Sequence, residues 1–391
     1  MRFTIVTPSL NQGGSIARTL ESVLSQDGDF EIELFVQDGG STDGSVQTIR
    51  EYADRVERGA WSGRCRNLRM TWVSEPDRGQ TDAINRGLRR ATGDIVAFLN
   101  SDDTYLPGAL QAVQTAFAER PEADFIYGDG DVVDGAGRVL WEWRGRPYDQ
   151  ATMTTYYFMW NSFTNFVMQQ ATFWRRGVHD RIGLLDEGFH YAMDAEYWTR
   201  ASAAGLRLEH LPLRLATFTM ADGTKSLSSP TVFWPDYLEI FRRHRGAASM
   251  ASYLGFYYYN LALNRDLDLD AVLPAGRSVF ERWRGLDAAE QRELQRQGTK
   301  GEALASLLLS RDLLAAGRPR EAQQMFRRGS LRTRERMAWL AATDYLVGRL
   351  LGRRIRAALD GWRRDLAIRY KRDRYDCRHD VTPPRGAGHA S

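Results

Sequence analysis

The sequence predicts an α/β domain built on a mixed, mainly parallel sheet, followed by an α-helical C-terminal region. Three observations carry that expectation. Between Phe3 and Leu99 short apolar runs alternate with segments of helical period; polar, turn-forming residues follow each run; and beyond Arg245 the pattern turns to helix throughout, rich in Arg, Leu and Ala. Alternation of this kind places parallel strands between helices on both faces. Open sheets of this class bind ligands beyond the carboxyl ends of their strands.

In chain order, strands are expected at Phe3–Thr7, Glu31–Gln37, Arg69–Ser74 and Asp94–Leu99, with helices between them at Ser15–Ser25, Ser45–Tyr52 and Thr81–Arg90. From Pro107 to about Arg245 the pattern is mixed. Short strands are expected at Phe125–Tyr127, Val132–Val133 and Val139–Trp143, then a helix over Tyr191–Ala204 and a strand near Leu211–Thr219. The expected organisation is one domain over residues 1–245, divided into halves 1–105 and 106–245, a helical region over 246–380, and a disordered Pro/Gly tail over 381–391. Within the helical region Leu304–Ala315, the Gly317-Arg318-Pro319 turn and Glu321–Phe326 resemble a single tetratricopeptide-like unit without neighbours.

Composition narrows the function classes. The chain of 391 residues is long enough to bury a substantial core, and at 43% hydrophobic and 26% charged residues it reads as globular. A net charge of +3 offers no whole-protein field for nucleic acid. The two cysteines, Cys65 and Cys377, lack metal-ligand spacing, which argues against a disulfide framework or a cysteine zinc site and favours a reducing compartment. The N-terminus runs straight into a strand without a signal-peptide pattern. No apolar run reaches the roughly 20 residues of a spanning helix, the nearest being Tyr253–Leu263 and Ser306–Leu314. A cytoplasmic location is therefore expected.

Candidate chemistry lies after the strands. In Asn100-Ser101-Asp102-Asp103 two adjacent carboxylates repel unless a cation joins them, and hard divalent metals take oxygen ligands while keeping positions for substrate phosphates. The same turn also suits the N-terminal cap of a helix beginning near Pro107. Asp38 opens a turn in which Gly39 and Gly40 let backbone approach a ligand, so its carboxylate could accept from a nucleobase or ribose; an ordinary strand-to-helix turn is the alternative. The spacing is not that of a dinucleotide fingerprint. Asp194 lies near the start of a predicted helix, where the dipole stabilises a carboxylate and where a general base could also work. The aromatic run Tyr156–Phe163, with Trp160, precedes Gln169 and Gln170, and together with Trp198 these suit either a sugar-acceptor wall or core packing. A helix expected over Tyr345–Tyr370 has an apolar stripe and an Arg-rich face, suited to an anionic membrane surface or to docking on its own protein.

The segments Val6–Asn11, Gln37–Asp43, Glu75–Gly87 and Phe98–Asp103, in this order and spacing, resemble glycosyltransferase family 2, a group with the GT-A fold. Gln169–Phe173, Ile182–Glu187 and Asp194–Arg200 extend the resemblance to about Ser229. It implies that residues 1–105 bind a nucleotide sugar and 106–245 the acceptor. By position, Pro8, Ser9, Asn11, Asp38 and Gly39 would lie at the nucleoside; Asp77, Gln80 and Asn85 would frame the donor pocket; and Asn100, Ser101 and Asp102 would meet the donor. Asp102 and Asp103 would hold Mn2+ or Mg2+, and Asp194 would be the catalytic base. The implied reaction is inverting transfer of one sugar from a nucleoside diphosphate, UDP foremost, to a hydroxyl of a glycan or lipid-linked acceptor. The setting would be surface polysaccharide or glycoconjugate synthesis at the inner face of the plasma membrane.

This chain departs from the family's pattern at two places. Asn100 stands where the acidic motif often begins with Asp, and no His precedes Gly223-Thr224-Lys225-Ser226, where Asp222 could substitute. The Gln-x-x-Arg-Trp motif of processive synthases is missing after Asp194. These departures motivate a second expectation, a non-catalytic nucleotide- or carbohydrate-binding protein on a decayed scaffold. A nucleotidyltransferase is a third, disfavoured because the first loop, Pro8–Gly14, carries no Lys or Arg.

Overall fold

The structure, a computed structural model, describes residues 1–61, 64–154, 167–220, 233–283, 285–330 and 345–346. The chain forms two compact units, Met1–Ala247 and Ala248–Ser391.

The first unit is built on one sheet. Its strands are β1 (Arg2–Ser9), β2 (Gly28–Asp38), β3 (Cys65–Ser74), β4 (Ile95–Phe98), β5 (Thr104–Tyr105), β6 (Phe125–Asp134), β7 (Val139–Trp143), β8 (Thr172–Arg175) and β9 (Leu208–Met220). They lie in the order β3-β2-β1-β4-β8-β6-β9-β5, with β7 beside β6. The strands β3, β2, β1 and β4 are parallel, as the alternating sequence predicts. Register sets Ser9 opposite Asp38 and Asp38 opposite Ser74, so three strands end level and bring three polar residues side by side.

Helices α1 (Ile16–Leu24), α2 (Ser45–Glu57), α3 (Gln80–Leu88), α4 (Ala109–Glu119), α5 (Gln150–Met153), α6 (Val178–Ile182), α7 (Met193–Ala203) and α8 (Trp234–Arg245) complete the unit. In α1, Ile16, Leu20, Val23 and Leu24 form the buried stripe that helical periodicity requires. α3 comes so close to β1 that a Cβ at Gly87 would lie 2.5 Å from Val6 Cγ1. Beneath α7, Trp198 packs edge-on against Phe125 and Trp174 at ring distances of 5.6 and 5.8 Å.

Strand direction locates the ends of α7. β8 is antiparallel to both β4 and β6, and β9 is parallel to β6, so β4, β6 and β9 point the same way. β9 starts with Leu208 opposite Phe125, the first residue of β6. α7 leads into that start, so its C-terminus lies at the amino end of the sheet and its N-terminus, with Asp194, at the carboxyl end. The turn after β4 lies at that same end.

The structure differs from the sequence expectation in detail. β6 is one strand rather than two: Gly128 and Gly130 interrupt its apolar pattern, and its pairing with β9 shifts register on either side of Asp129 but continues to Asp134. A side chain at Gly130 would meet Met168 Sδ at 2.3 Å, so glycine is what lets residue 168 pack there. The short strands β5 and β8 carry too little periodicity to be anticipated, and α4 begins at Ala109, after Gly108 in the left-handed region (φ +79°).

The second unit contains α9 (Ala251–Leu263), α10 (Leu269–Arg277), α11 (Ala288–Ala315) and α12 (Pro319–Ser330). α9 and α11 approach closely at paired glycines, where a Cβ on Gly301 would lie 2.9 Å from the Gly255 nitrogen. Asp268 and Asp287 cap α10 and α11 through side-chain oxygens. No helix among the described residues is long and apolar enough to cross a membrane. Of the amphipathic helix expected over residues 345–370 only Tyr345 and Leu346 are described, and the tail over 381–391 lies outside the described residues.

Candidate active site

The first wall of the site is made by the loops after β1 and β2. Asp38 is fully buried, and its carboxylate accepts from the Gly40 nitrogen (3.0 Å), the Ser41 nitrogen (2.9 Å), Ser41 Oγ (2.5 Å) and Ser74 Oγ (2.7 Å). Burial works to raise its pKa, but these donors outweigh it and hold the carboxyl below the usual range. The Asp38 carboxylate, expected from the sequence at the nucleoside, shapes its own turn through these four bonds. The turn is tied to its neighbour by Asn11, which takes the left-handed backbone (φ +52°) that Asn tolerates. Its nitrogen donates to Ser41 Oγ at 2.7 Å and its Oδ1 accepts from the Thr42 nitrogen at 2.9 Å. Gln12 and Gly13 nitrogens donate to Ser45 Oγ and Asp43 Oδ2, each at 2.8 Å.

In this wall Pro8 is buried and Ser9 Oγ is buried without a hydrogen-bond partner, level with Asp38. That leaves Ser9 with polar capacity to spare. Asp77 closes the wall from the β3 side. A Cβ on Gly39 would lie 2.8 Å from Asp77 Oδ2, so glycine permits this approach. Asp77 Oδ1 accepts from the Gly79 nitrogen at 2.8 Å.

The second part is the turn after β4. Asn100 Oδ1 accepts from Gln80 Nε2 at 2.7 Å, while Asn100 Nδ2 donates to Asp103 Oδ2 and to Gln169 Oε1, both at 3.2 Å. Gln169 Nε2 donates to the Phe98 carbonyl at 2.8 Å. Asp103 is completely buried; Oδ1 accepts from the Thr219 nitrogen and Oδ2 from Gln170 Nε2, both at 2.9 Å. Burial, and then the neighbouring Asp102 charge, push its pKa up to about 8 against these donors. Asp102 is different. It is half-buried; among the described residues no other side chain donates to its carboxylate, which accepts from its own backbone nitrogen, and its carbonyl accepts from Thr219 Oγ1 at 2.6 Å. Burial raises its pKa, and the Arg18 charge on α1 opposes that rise.

The two carboxylates, expected from the sequence to share a metal, are thus not equivalent: Asp103 is enclosed by donors, whereas no other side chain among the described residues donates to Asp102. Among the described residues no cluster of three or more His, Cys, Asp or Glu could form a metal cage. One open carboxylate fits a hard cation that takes its remaining ligands from substrate phosphates and water. Asn100 also finds its reason: a carboxylate in its place could not donate to Asp103 Oδ2 as the amide does. Ser101 is buried within the turn.

The third part carries Asp194. It sits half-buried in the first turn of α7, its Oδ1 accepting from the Ala195 nitrogen at 2.8 Å. The approach to it, residues 182–192, is held from several sides. Asn85 clasps Leu185 through both amide atoms, donating to its carbonyl at 2.9 Å and accepting from its nitrogen at 3.2 Å. Thr81 Oγ1 donates to the Phe189 carbonyl, and Arg78 NH2 pairs with Glu187 at 2.7 Å. Arg200 donates to the carbonyls of Ile182 and Leu184, and Arg243 pairs with Asp186 at 2.8 Å.

The other candidates take these places. Asn85, expected at the donor pocket, is buried and clamps this loop. Gln169 and Gln170, expected at the acceptor, are buried with their amides turned to the acidic turn, which they brace. Trp198, expected beside them, is wholly buried among Phe125, Trp174 and Tyr197. Trp160, with the rest of Tyr156–Phe163, and the stretch Asp222–Ser226 lie outside the described residues. Arg18 was not anticipated. It is exposed, donates to the Gly135 carbonyl at 3.4 Å and bears on Asp102 across 84 positions of sequence, which no local pattern reveals.

The profile of Glycosyl transferase family 2 matches residues 4–183. A PGL/p-HBAD biosynthesis glycosyltransferase of Mycobacterium bovis is 31% identical over 197 residues, covering 50% of this chain and 67% of the relative. An uncharacterized glycosyltransferase of Mycobacterium tuberculosis is 31% identical over 203 residues, covering 51% and 68%. Among solved structures, S. aureus TarS 1-349 in complex with UDP-GlcNAc aligns over 89% of this chain and 92% of its own, with a TM-score of 0.48 and 16% identity. With this family match and relatives 31% identical that it covers to two thirds of their length, this chain, folded on a mixed, mainly parallel sheet, belongs to glycosyltransferase family 2.

Proposed function

We propose that this glycosyltransferase moves a single sugar, with inversion, from a nucleoside diphosphate to a hydroxyl of a glycan or lipid-linked acceptor, assisted by a divalent metal. The observation that carries the reading is the placement of Asp194 and the open carboxylate of Asp102 at the same end of the sheet. Asp194 takes the proton of the acceptor hydroxyl as its oxygen attacks the anomeric carbon, a contribution of about 10²- to 10⁴-fold. One base and no covalent intermediate are sufficient for inversion. Asp102 is the residue that would hold Mn2+ or Mg2+, which when bound neutralises the leaving diphosphate as a Lewis acid. Ser9, the Asn11–Ser41 wall and Asp77 form the nucleoside side, with a uridine nucleotide the first to test.

For the acceptor, the support is the name of the mycobacterial relatives, which places them in PGL/p-HBAD biosynthesis. That suits a glycoconjugate acceptor at the inner membrane face. The decayed-scaffold alternative loses its main motive, since Asn100 is built into the support of Asp103 rather than missing from a ligand set.

The test is incubation with a panel of UDP-, GDP- and dTDP-sugars, following nucleoside diphosphate release and the anomeric configuration of the product by NMR. Inverted product from one donor class supports the proposal. A retained configuration, or no release from any donor, contradicts it.

A further inference from the structure

The helix that carries Asp194 has no capping side chain at its N-cap position, Ala192, and within its first turn Asp194 Oδ1 itself accepts from the Ala195 nitrogen. Helix starts are fixed by such acceptors. The three residues that lead into this one are held by an acceptor from elsewhere in the chain. Asp236, in the first turn of α8, accepts with the single oxygen Oδ2 from the nitrogens of His190 (3.0 Å), Tyr191 (2.7 Å) and Ala192 (3.0 Å). Three consecutive backbone donors converging on one carboxylate oxygen fix the chain direction immediately before α7, and charge-assisted bonds of this kind are the strong ones. The negative charge also lies at the favourable end of the α7 dipole. Asp236 is followed by Tyr237, which lies in the fields of both Asp194 and Asp236.

The other tethers of this approach, from Asn85, Thr81 and Arg200, grip residues 182–189. Asp236 grips the last three residues before Met193, next to Asp194. We infer that Asp236 is a positioning residue of the transfer reaction: a cap donated by α8 that sets the rotation and height of the α7 N-terminus, and through it the reach of the Asp194 carboxylate. This rests on the reading of Asp194 as the base. A displacement of about 1 Å in a reacting group costs on the order of 10²-fold in rate, so loss of the cap falls on turnover rather than on nucleotide affinity.

The experiment uses the full chain with Asp236→Ala and Asp236→Asn, the second keeping an acceptor oxygen in place. Amide hydrogen exchange is read at His190, Tyr191 and Ala192, alongside kcat and KM for the nucleotide sugar that the wild type consumes. In Asp236→Ala the three amides are expected to exchange at least about tenfold faster, and kcat to fall about 10- to 100-fold with KM within about twofold. Asp236→Asn recovers most of both. Unchanged exchange overturns the clamp whatever the turnover. Faster exchange with full turnover, or a loss of nucleotide affinity that parallels kcat, overturns its part in placing Asp194. A wild type that releases no nucleoside diphosphate counts against Asp194 as base, and exchange still decides the clamp.

Discussion

Asn100 Nδ2 donates to Asp103 Oδ2 at 3.2 Å, so the neutral residue at the head of the acidic turn is a structural partner of the buried carboxylate behind it. Asn100→Asp removes that donor and places a second carboxyl beside the buried Asp103, where ionising either group is opposed by the other. The variant is expected to lose about 2–4 kcal/mol of stability at neutral pH, read from denaturant midpoints. Stability equal to wild type would show that the amide does not support Asp103.

Asp102 and Asp103 are expected to separate cleanly. Asp103→Ala strands the Thr219 nitrogen and the amides of Gln170 and Asn100 without their acceptor, and is expected to cost about 2–4 kcal/mol. Asp102→Ala, which removes a carboxylate without side-chain donors, is expected to change stability by about 0.5 kcal/mol or less while abolishing metal-dependent nucleotide binding. Thermal unfolding and calorimetry on the two variants check this; equal destabilisation would remove the distinction between ligand and anchor.

Asn85→Ala opens the clasp on Leu185 from both sides. Faster hydrogen exchange across residues 183–189 is expected, with a fall in kcat of about tenfold or more and nucleotide affinity retained, since the loop leads to Asp194 and not to the nucleoside wall. An affinity loss instead would return Asn85 to the donor pocket.

Among buried titratable groups, His179 gives the pH signature. Trp174 Nε1 donates to its Nε2 at 3.0 Å, which requires the neutral imidazole, and burial lowers its pKa from the ordinary 6.5 to about 4. In the window between those values the unfolded chain binds a proton that the folded chain does not. Stability is therefore present above about 6.5 and falls as pH drops towards 4, by on the order of 3 kcal/mol. His179→Gln, which keeps an acceptor, is expected to flatten that part of the stability–pH curve. An unchanged curve would contradict it.

Much of the fold was legible in the sequence because β1 to β4 and their helices are local in chain and regular in period, and periodicity reports burial directly. The acidic turn was legible because paired carboxylates after an apolar strand are costly without a purpose. What could not be read was the division of labour inside the turn. Gln80, Gln169, Gln170 and Thr219 reach Asn100 and Asp103 from 20 to 116 positions away, and only the folded sheet decides which oxygen meets a donor. Trp198 has the same cause: aromatic residues suit sugar faces and cores equally, and only the fold sets Phe125 and Trp174 edge-on against it in the buried interior.

The most direct test is calorimetric titration of UDP, GDP and dTDP, with and without Mn2+, into the wild type, Asp102→Ala and Asp194→Asn. One nucleotide is expected to bind in a Mn2+-dependent manner, to lose that dependence in Asp102→Ala, and to bind unchanged to Asp194→Asn. Binding of no nucleotide by the wild type, or metal-dependent binding that survives the loss of Asp102, would contradict the account.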